Sequence, residues 1–384
     1  MTQKKIKVAI DTSFMDRRNA KGTAIFIREC VAQLVHYKDE LDITLIHRES
    51  IPEEPLYTEF KEIIIPQIKL KRGSRLISEL VFFLRTKERF DVYYFAYSKL
   101  PPHFFFAPAK KIVSMQYDGG PDTAGVDLGA TVGKIRPWML PLMRRFVDVF
   151  IATSEFGKQG LVERRGLPEK KVVVAYGGAD TSFHPIDKTV AKAYLEKEYS
   201  LGLQPFIVAS GRLDPHKNIL RLIEAYNILR TKYNIEHPLI VTGGIHMTGY
   251  SELVLAKIAE LKLESYVTIL LVREFKEMPY FYSGADIMVF PSLYEGFGLP
   301  LAEAMRCNVA TVVSRGSSLT EVGGDASEFF DPTNSEDIAR GMYTVLSDPD
   351  YRNVLSARGL VQAEKFTWKK HTEKMVAIFK QLSV

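Results

Sequence analysis

The chain has 384 residues, 46% of them apolar and 25% charged, with a formal net charge of +5. This mixture excludes intrinsic disorder. No apolar run reaches the ~18 residues of a membrane span, and two cysteines, Cys30 and Cys307, are too few for a disulfide scaffold. Charge is shared unevenly: residues 1–184 hold 29 Lys and Arg against 22 Asp and Glu, the remainder 22 against 24. A basic front half and a near-neutral rear half predict two domains that meet different partners.

In chain order, "KKIKVAID" opens as a short strand rather than a leader peptide, and the reduced cysteines suit the cytoplasm. "LDITLIH", "DVYYFA", "KKIVSMQ" and "VDVFIATS" follow as strand-like runs, with helical spacing between them in stretches such as "IFIRECVAQLVHY". The second half repeats the pattern with "QPFIVASG", "HPLIVTGG", "YVTILLV", "ADIMVFPS" and "VATVVS", around helices such as "ILRLIEAYNILRTKY". Such alternation predicts an α/β protein whose parallel sheets are covered by helices on both faces. Two series of similar length predict two doubly wound domains, 1–183 and 184–384. Their join falls near "YGGADTSFHPIDKT", and the last helix is allowed to cross back to the first domain.

Open parallel sheets bind ligands at the carboxyl ends of their strands, so the loops there are the candidate sites. After the first strand, Gly22 and Thr23 start a helix where backbone can approach a phosphate or an acceptor. Ala24 and Ile27 rule out a G-x-G-x-x-G fingerprint, which argues against a nicotinamide-dependent oxidoreductase. After "KIVSM", Tyr117 and Asp118 precede a Gly-Gly-Pro turn; the acid suits either a sugar hydroxyl or a turn cap. In "ASGRLDPHKNILRLIEAY", Arg212 and Lys217 flank a turn before a helix, two cations suited to a diphosphate. In "PSLYEGFGLPLAEAM", Glu295 and Glu303 bracket a glycine turn, and Pro300 suits a helix's first turn. The sole Asp-x-Asp, "DPD" at 348–350, reads as a turn and helix cap rather than a metal site.

Taken together, "FPSLYEGFGLPLAEAM", "SGRLDPHKNI", "ATSEFGKQGLVERRGLPEKKVVVAYGGAD", "SSLTEVGGDA" and the late "FTW" resemble the retaining nucleotide-sugar glycosyltransferases of family 4. The resemblance covers essentially the whole chain and looks mannosyltransferase-like. It implies the GT-B fold, two Rossmann-like domains facing across a cleft, the first for acceptor and the second for nucleotide sugar. It implies that Glu295 lies near the donor sugar and that the backbone of Gly296, Phe297, Gly298 and Leu299 contacts sugar and phosphate. Glu303 would hold the ribose, Arg212 and Lys217 would neutralise the departing diphosphate, and the base would sit near Val272 and Arg273. Gly22, Thr23 and Tyr117 complete the implied donor-binding set, and Asp118 joins Glu295, Arg212 and Lys217 as an implied catalytic residue. No metal and no resident cofactor is expected, because the two cations serve instead.

This sequence departs from the family at Tyr117, where a sugar-contacting histidine is usual, and at Ala24, Asn308, Val309, Ala310 and Gly177. These changes leave open the sugar, the acceptor and an alternative reading as an inactive nucleotide-binding subunit. Residues 68–90, with seven Lys and Arg beside an apolar stripe, and residues 133–146, with Trp138 and a basic end, suit either an anionic membrane surface or ordinary packing. The expected partners are thus a nucleotide sugar, a glycan or lipid-linked acceptor and a membrane surface, without nucleic acid. The expected location is the cytoplasm, peripherally at the membrane.

Overall fold

The structure, a computed structural model, describes residues 4–13, 22–49, 55–68, 74–117, 138–243 and 249–383. The chain forms two compact units. The first takes in the described residues up to Gly177 together with residues 368–383 of the C-terminal stretch, and the second spans Gly178–Thr367.

The first unit holds strands β1 (Ile6–Asp11), β2 (Leu41–His47), β3 (Lys61–Ile64), β4 (Phe90–Phe95), β5 (Ala109–Gln116), β6 (Val149–Ala152) and β7 (Val172–Val174). Among the described residues they form one parallel sheet in the order β3-β2-β1-β4-β5-β6-β7. The second unit holds β8 (Ile207–Ser210), β9 (Leu239–Thr242), β10 (Val267–Leu270), β11 (Ile287–Phe290), β12 (Ala310–Ser314) and β13 (Ser327–Phe330). These are also all parallel, in the order β10-β9-β8-β11-β12-β13. The central strands β8, β9, β11 and β12 are buried throughout, because helices cover both faces and leave no solvent side.

The division between units falls at Gly177–Gly178, ahead of the join expected at 183–184. Phe183 explains the difference. Its ring is fully buried in the second unit, edge-on to Phe275 at 5.2 Å, and its carbonyl accepts from Arg306 Nε at 3.1 Å. The last helix, Trp368–Leu382, packs on the helix Gly22–Leu34 of the first unit. Its buried stripe of Trp368, His371, Met375 and Phe379 follows helical spacing. Phe26 meets Trp368 at 4.7 Å and His371 at 5.0 Å, and His371 Nδ1 lies 3.1 Å and 3.0 Å from the carbonyls of Ala175 and Tyr176.

Candidate active site

In the second sheet the chain runs outward from β8 to β10 and returns to place β11 on the other side of β8. The strand order therefore reverses between β8 and β11, the place in a doubly wound sheet where ligands bind at the carboxyl ends of the strands. The two loops that leave those ends carry Arg212 with Lys217 and Glu295 with the glycine turn.

The first loop begins with close backbone packing. Gly211 holds φ +140°, and a Cβ on Gly243 would sit 1.9 Å from the Gly211 carbonyl oxygen, so both positions exclude a side chain. Arg212 turns back to pair with Asp214 at 2.7 Å. A 3-10 turn, Pro215–Lys217, then leads to Asn218 in the left-handed region, φ 58°, where the helix Ile219–Tyr233 starts. Burial, reinforced by the Lys217 charge, pushes the His216 pKa down.

The second loop is stitched to the first at three points. Lys217 Nζ donates to Glu295 Oε1 at 2.6 Å, with the ammonium 5.1 Å from the Phe290 ring centre. Asn218 Nδ2 donates to the carbonyls of Pro291 at 3.1 Å and Pro332 at 2.8 Å. The Leu293 N–H donates to the His216 carbonyl at 2.8 Å. The Glu295 carbonyl in turn accepts from Ser318 Oγ at 3.0 Å. Gly298, φ +95°, closes the turn; a Cβ there would meet Leu319 Cδ2 at 2.6 Å. Phe297 is buried edge-on to Phe366 at 5.5 Å. The helix Leu299–Arg306 follows, with Pro300 in its first turn as expected. On it, Glu303 is buried, and its pKa is pushed up to about 8 by desolvation first and by the Asp180 charge second.

The structure thus brings Lys217, Glu295 and the glycine turn together, and it adds Asn218, which the sequence reading did not single out. The signal for Asn218 was an asparagine at a helix start beside a lysine, a residue type that tolerates positive φ. The expected clamp of two cations takes a different form, since Arg212 and Lys217 each already hold a carboxylate. A lysine ammonium has three donors, so pairing with Glu295 leaves two for phosphate oxygens.

The remaining predicted positions are dispersed. Arg273 is tied by its guanidinium to Glu198 at 2.9 Å and Glu277 at 3.4 Å, over the Tyr199 ring at 4.7 Å; Val272 is half-buried beside it. In the first unit, Tyr117 donates its hydroxyl to the Ala96 carbonyl at 2.7 Å and meets Phe26 edge-on at 4.9 Å. Its hydroxyl proton is therefore engaged within the fold. Gly22 is exposed and a Cβ there would meet nothing; Thr23 is half-buried beside it. Asp118 lies outside the described residues. Asp348 of the Asp-Pro-Asp accepts from the Tyr351 N–H at 2.9 Å and caps the helix Pro349–Ala363.

Residues 194–361 match the family model described as glycosyl transferases group 1. Among curated proteins, the chain is 32% identical over 235 residues to the O-antigen chain mannosyltransferase B of Escherichia coli, covering 61% of each. It is 31% identical over 223 residues to the serotype-specific mannosyltransferase WbdA of Escherichia coli, covering 58% of this chain and 27% of that one. The matches therefore span less than two thirds of the length of these relatives. Among solved structures, sucrose-phosphate synthase from Thermosynechococcus elongatus superposes at a TM-score of 0.79, with 19% identity, over 98% of this chain and 99% of that one. Anabaena Alr3699/HepE in complex with UDP and glucose gives 0.76, with 17% identity, over 98% and 100%. At such identities the structural likeness speaks for the fold alone. Residues 194–361 are thus similar to the group 1 glycosyl transferases, in a chain built of two Rossmann-like domains as in the GT-B fold.

Proposed function

We propose that this protein is a retaining, metal-independent glycosyltransferase of family 4. It moves a hexosyl group from GDP-mannose or a UDP-sugar to a glycan or lipid-linked acceptor in polysaccharide or glycoconjugate synthesis, peripherally at the inner face of the membrane. The observation that carries this reading is the Lys217–Glu295 pair between the loops that follow β8 and β11, with Glu303 buried on the next helix. Lys217, with Arg212 and the backbone of Gly296–Leu299, meets the diphosphate; Glu303 meets the ribose; Glu295 turns toward the sugar. Val272 and Arg273 border the base, Gly22, Thr23 and Tyr117 belong to the donor-binding set, and Asp118 is catalytic together with Glu295, Arg212 and Lys217.

In the reaction the bond from the anomeric carbon to the diphosphate oxygen breaks, and the acceptor oxygen bonds to that carbon on the same face. The departing phosphate oxygen takes the acceptor proton. Negative charge grows on the diphosphate, so fixed donors there lower the barrier, each by about 3 kcal/mol or a hundredfold in rate.

The test is nucleotide release from a panel of GDP- and UDP-sugars. Lys217→Ala is expected to cut turnover by about a hundredfold or more with unchanged circular dichroism. Glu295→Ala is expected to slow transfer while nucleoside diphosphate affinity holds or rises, because it frees the Lys217 ammonium. Unchanged kinetics in Lys217→Ala overturns the scheme, and donor binding without turnover in the unaltered protein favours the inactive subunit.

A further inference from the structure

The helix Ser74–Arg85 turns its apolar side outward. A surface helix ordinarily buries its apolar stripe and exposes its polar one. Here the buried residues are Ser78, Glu79 and Phe83, while Leu76, Ile77 and Leu84 are exposed, Leu84 to 61%. Two polar anchors hold this rotation. Ser78 Oγ accepts the Ile68 N–H at 2.8 Å, and Glu79 Oε2 accepts from Arg48 at 3.2 Å. With 78, 79 and 83 facing in, the 3.6-residue period sends 77 and 84 outward, while Leu76 is exposed at the helix's first turn.

Exposed aromatic side chains also lie on neighbouring elements. The helix packs against the turn Phe104–Phe106, and Phe105 stacks on Phe146 at 5.3 Å, at the end of the helix Met139–Phe146. Phe106 and Phe146 are exposed, and Trp138, just before that helix, is 51% exposed. Basic side chains border these groups. Arg144 and Arg145 are exposed in the last turn of the second helix, with Arg145 5.5 Å from the Phe146 ring centre. Arg85 ends the first helix, and the exposed Lys87, Glu88 and Arg89 beyond it add one net positive charge. Neither helix exposes an acid, since Glu79 is the sole carboxylate in the two and it faces inward.

We propose that the helices Ser74–Arg85 and Met139–Phe146, with the turn Phe104–Phe106 between them, dock this protein on an anionic lipid bilayer. Exposed Leu, Ile, Phe and Trp side chains enter the boundary between headgroups and acyl chains, while flanking arginines meet lipid phosphates. Among the described residues no helix is long and apolar enough to span a membrane, so attachment here is superficial. A second copy is the poorer occupant, because a twofold contact would set the arginines of one patch against those of the other. The inference deepens the peripheral-membrane part of the proposed function and rests on that part alone. Vesicle binding without nucleotide is therefore a separate measurement from transfer, and Lys217→Ala is expected to bind vesicles as the unaltered protein does.

The experiment is co-sedimentation of the full chain with phosphatidylglycerol–phosphatidylcholine vesicles and with pure phosphatidylcholine, read together with tryptophan emission. The chain has two tryptophans, and Trp368 is buried, so a blue shift on binding reports Trp138. Binding and a blue shift are expected with the anionic vesicles only. Leu84→Glu combined with Ile77→Glu is expected to abolish both, and Arg145→Ala to weaken binding about fivefold. Absent binding, equal binding to neutral vesicles, or unchanged binding in both variants overturns the proposal. So does a dimer in analytical ultracentrifugation that the Leu84→Glu and Ile77→Glu variant dissolves, which assigns the face to a second copy.

Discussion

Glu303 shows how one side chain is set by its surroundings. In an unfolded chain its carboxyl titrates near the ordinary 4.5, whereas burial and the Asp180 charge raise it to about 8 in the fold. Between these values the folded state holds a proton that the unfolded state has released, so stability falls as pH rises. The contribution is complete below about 4.5 and is lost as pH climbs through about 8. Thermal melts from pH 5 to 8.5 are expected to fall less steeply in Glu303→Gln than in the unaltered protein. Parallel slopes would mean that Glu303 is ionised in the fold. The carboxylate was singled out by its spacing to Glu295, but its burial was not legible, because Asp180 and Lys217 reach it only through the fold.

At the scale of elements, Asn218 holds the loops that follow β8 and β11 in register. Its amide donates to two carbonyls from distant segments, Pro291 and Pro332, and its backbone takes a positive φ that begins a helix. Asn218→Gly keeps the backbone freedom and loses both bonds, whereas Asn218→Ala loses the bonds and adds strain. Each buried carbonyl left unpaired costs about 1–3 kcal/mol. Chemical denaturation is therefore expected to rank the unaltered protein above Asn218→Gly and that above Asn218→Ala. In nucleotide titrations both variants are expected to weaken binding, because the loop that carries Lys217 is no longer tied to the carbonyls of Pro291 and Pro332. Equal stability of the three proteins would assign these contacts to the surface of the fold. Elements also mark where sequence reading ran thin. The strands missing from it, β3, β7 and β13, are edge strands, of three or four residues with half-exposed patterns. An edge strand lacks a second covered flank and so lacks the continuous apolar run that reveals a central one.

At the scale of the molecule, the end of the chain stabilises the beginning. The helix Trp368–Leu382 buries Trp368, His371, Met375 and Phe379 within the first unit, against Phe26 and Tyr94. The core of the second unit is built from its own strands and helices, with Ile207, Ile223, Tyr226, Val289 and Val312 fully buried. Deleting residues 368–384 is therefore expected to remove hydrogen-exchange protection from β1, β4 and the helix Gly22–Leu34 while β8, β9 and β11 keep theirs. Uniform loss across both sheets would show that the last helix sustains the two units equally.

Taken by itself, the sequence determined the doubly wound class, the central strands and the two glycine-bearing loops that the fold brings together. A parallel strand covered on both faces must be an apolar run, and a glycine turn before a proline-started helix leaves few other conformations. Tertiary structure alone decided the rest. Lys217 and Glu295 stand 78 residues apart in the chain and meet because β8 and β11 became neighbours. Arg212 and Arg273 found carboxylates, Tyr117 spent its hydroxyl on a carbonyl, and the helix Ser74–Arg85 turned its leucines outward on the strength of Ser78 and Glu79. The physical reason is common to all of these: each depends on which distant segment supplies the partner, and local periodicity carries no record of that partner.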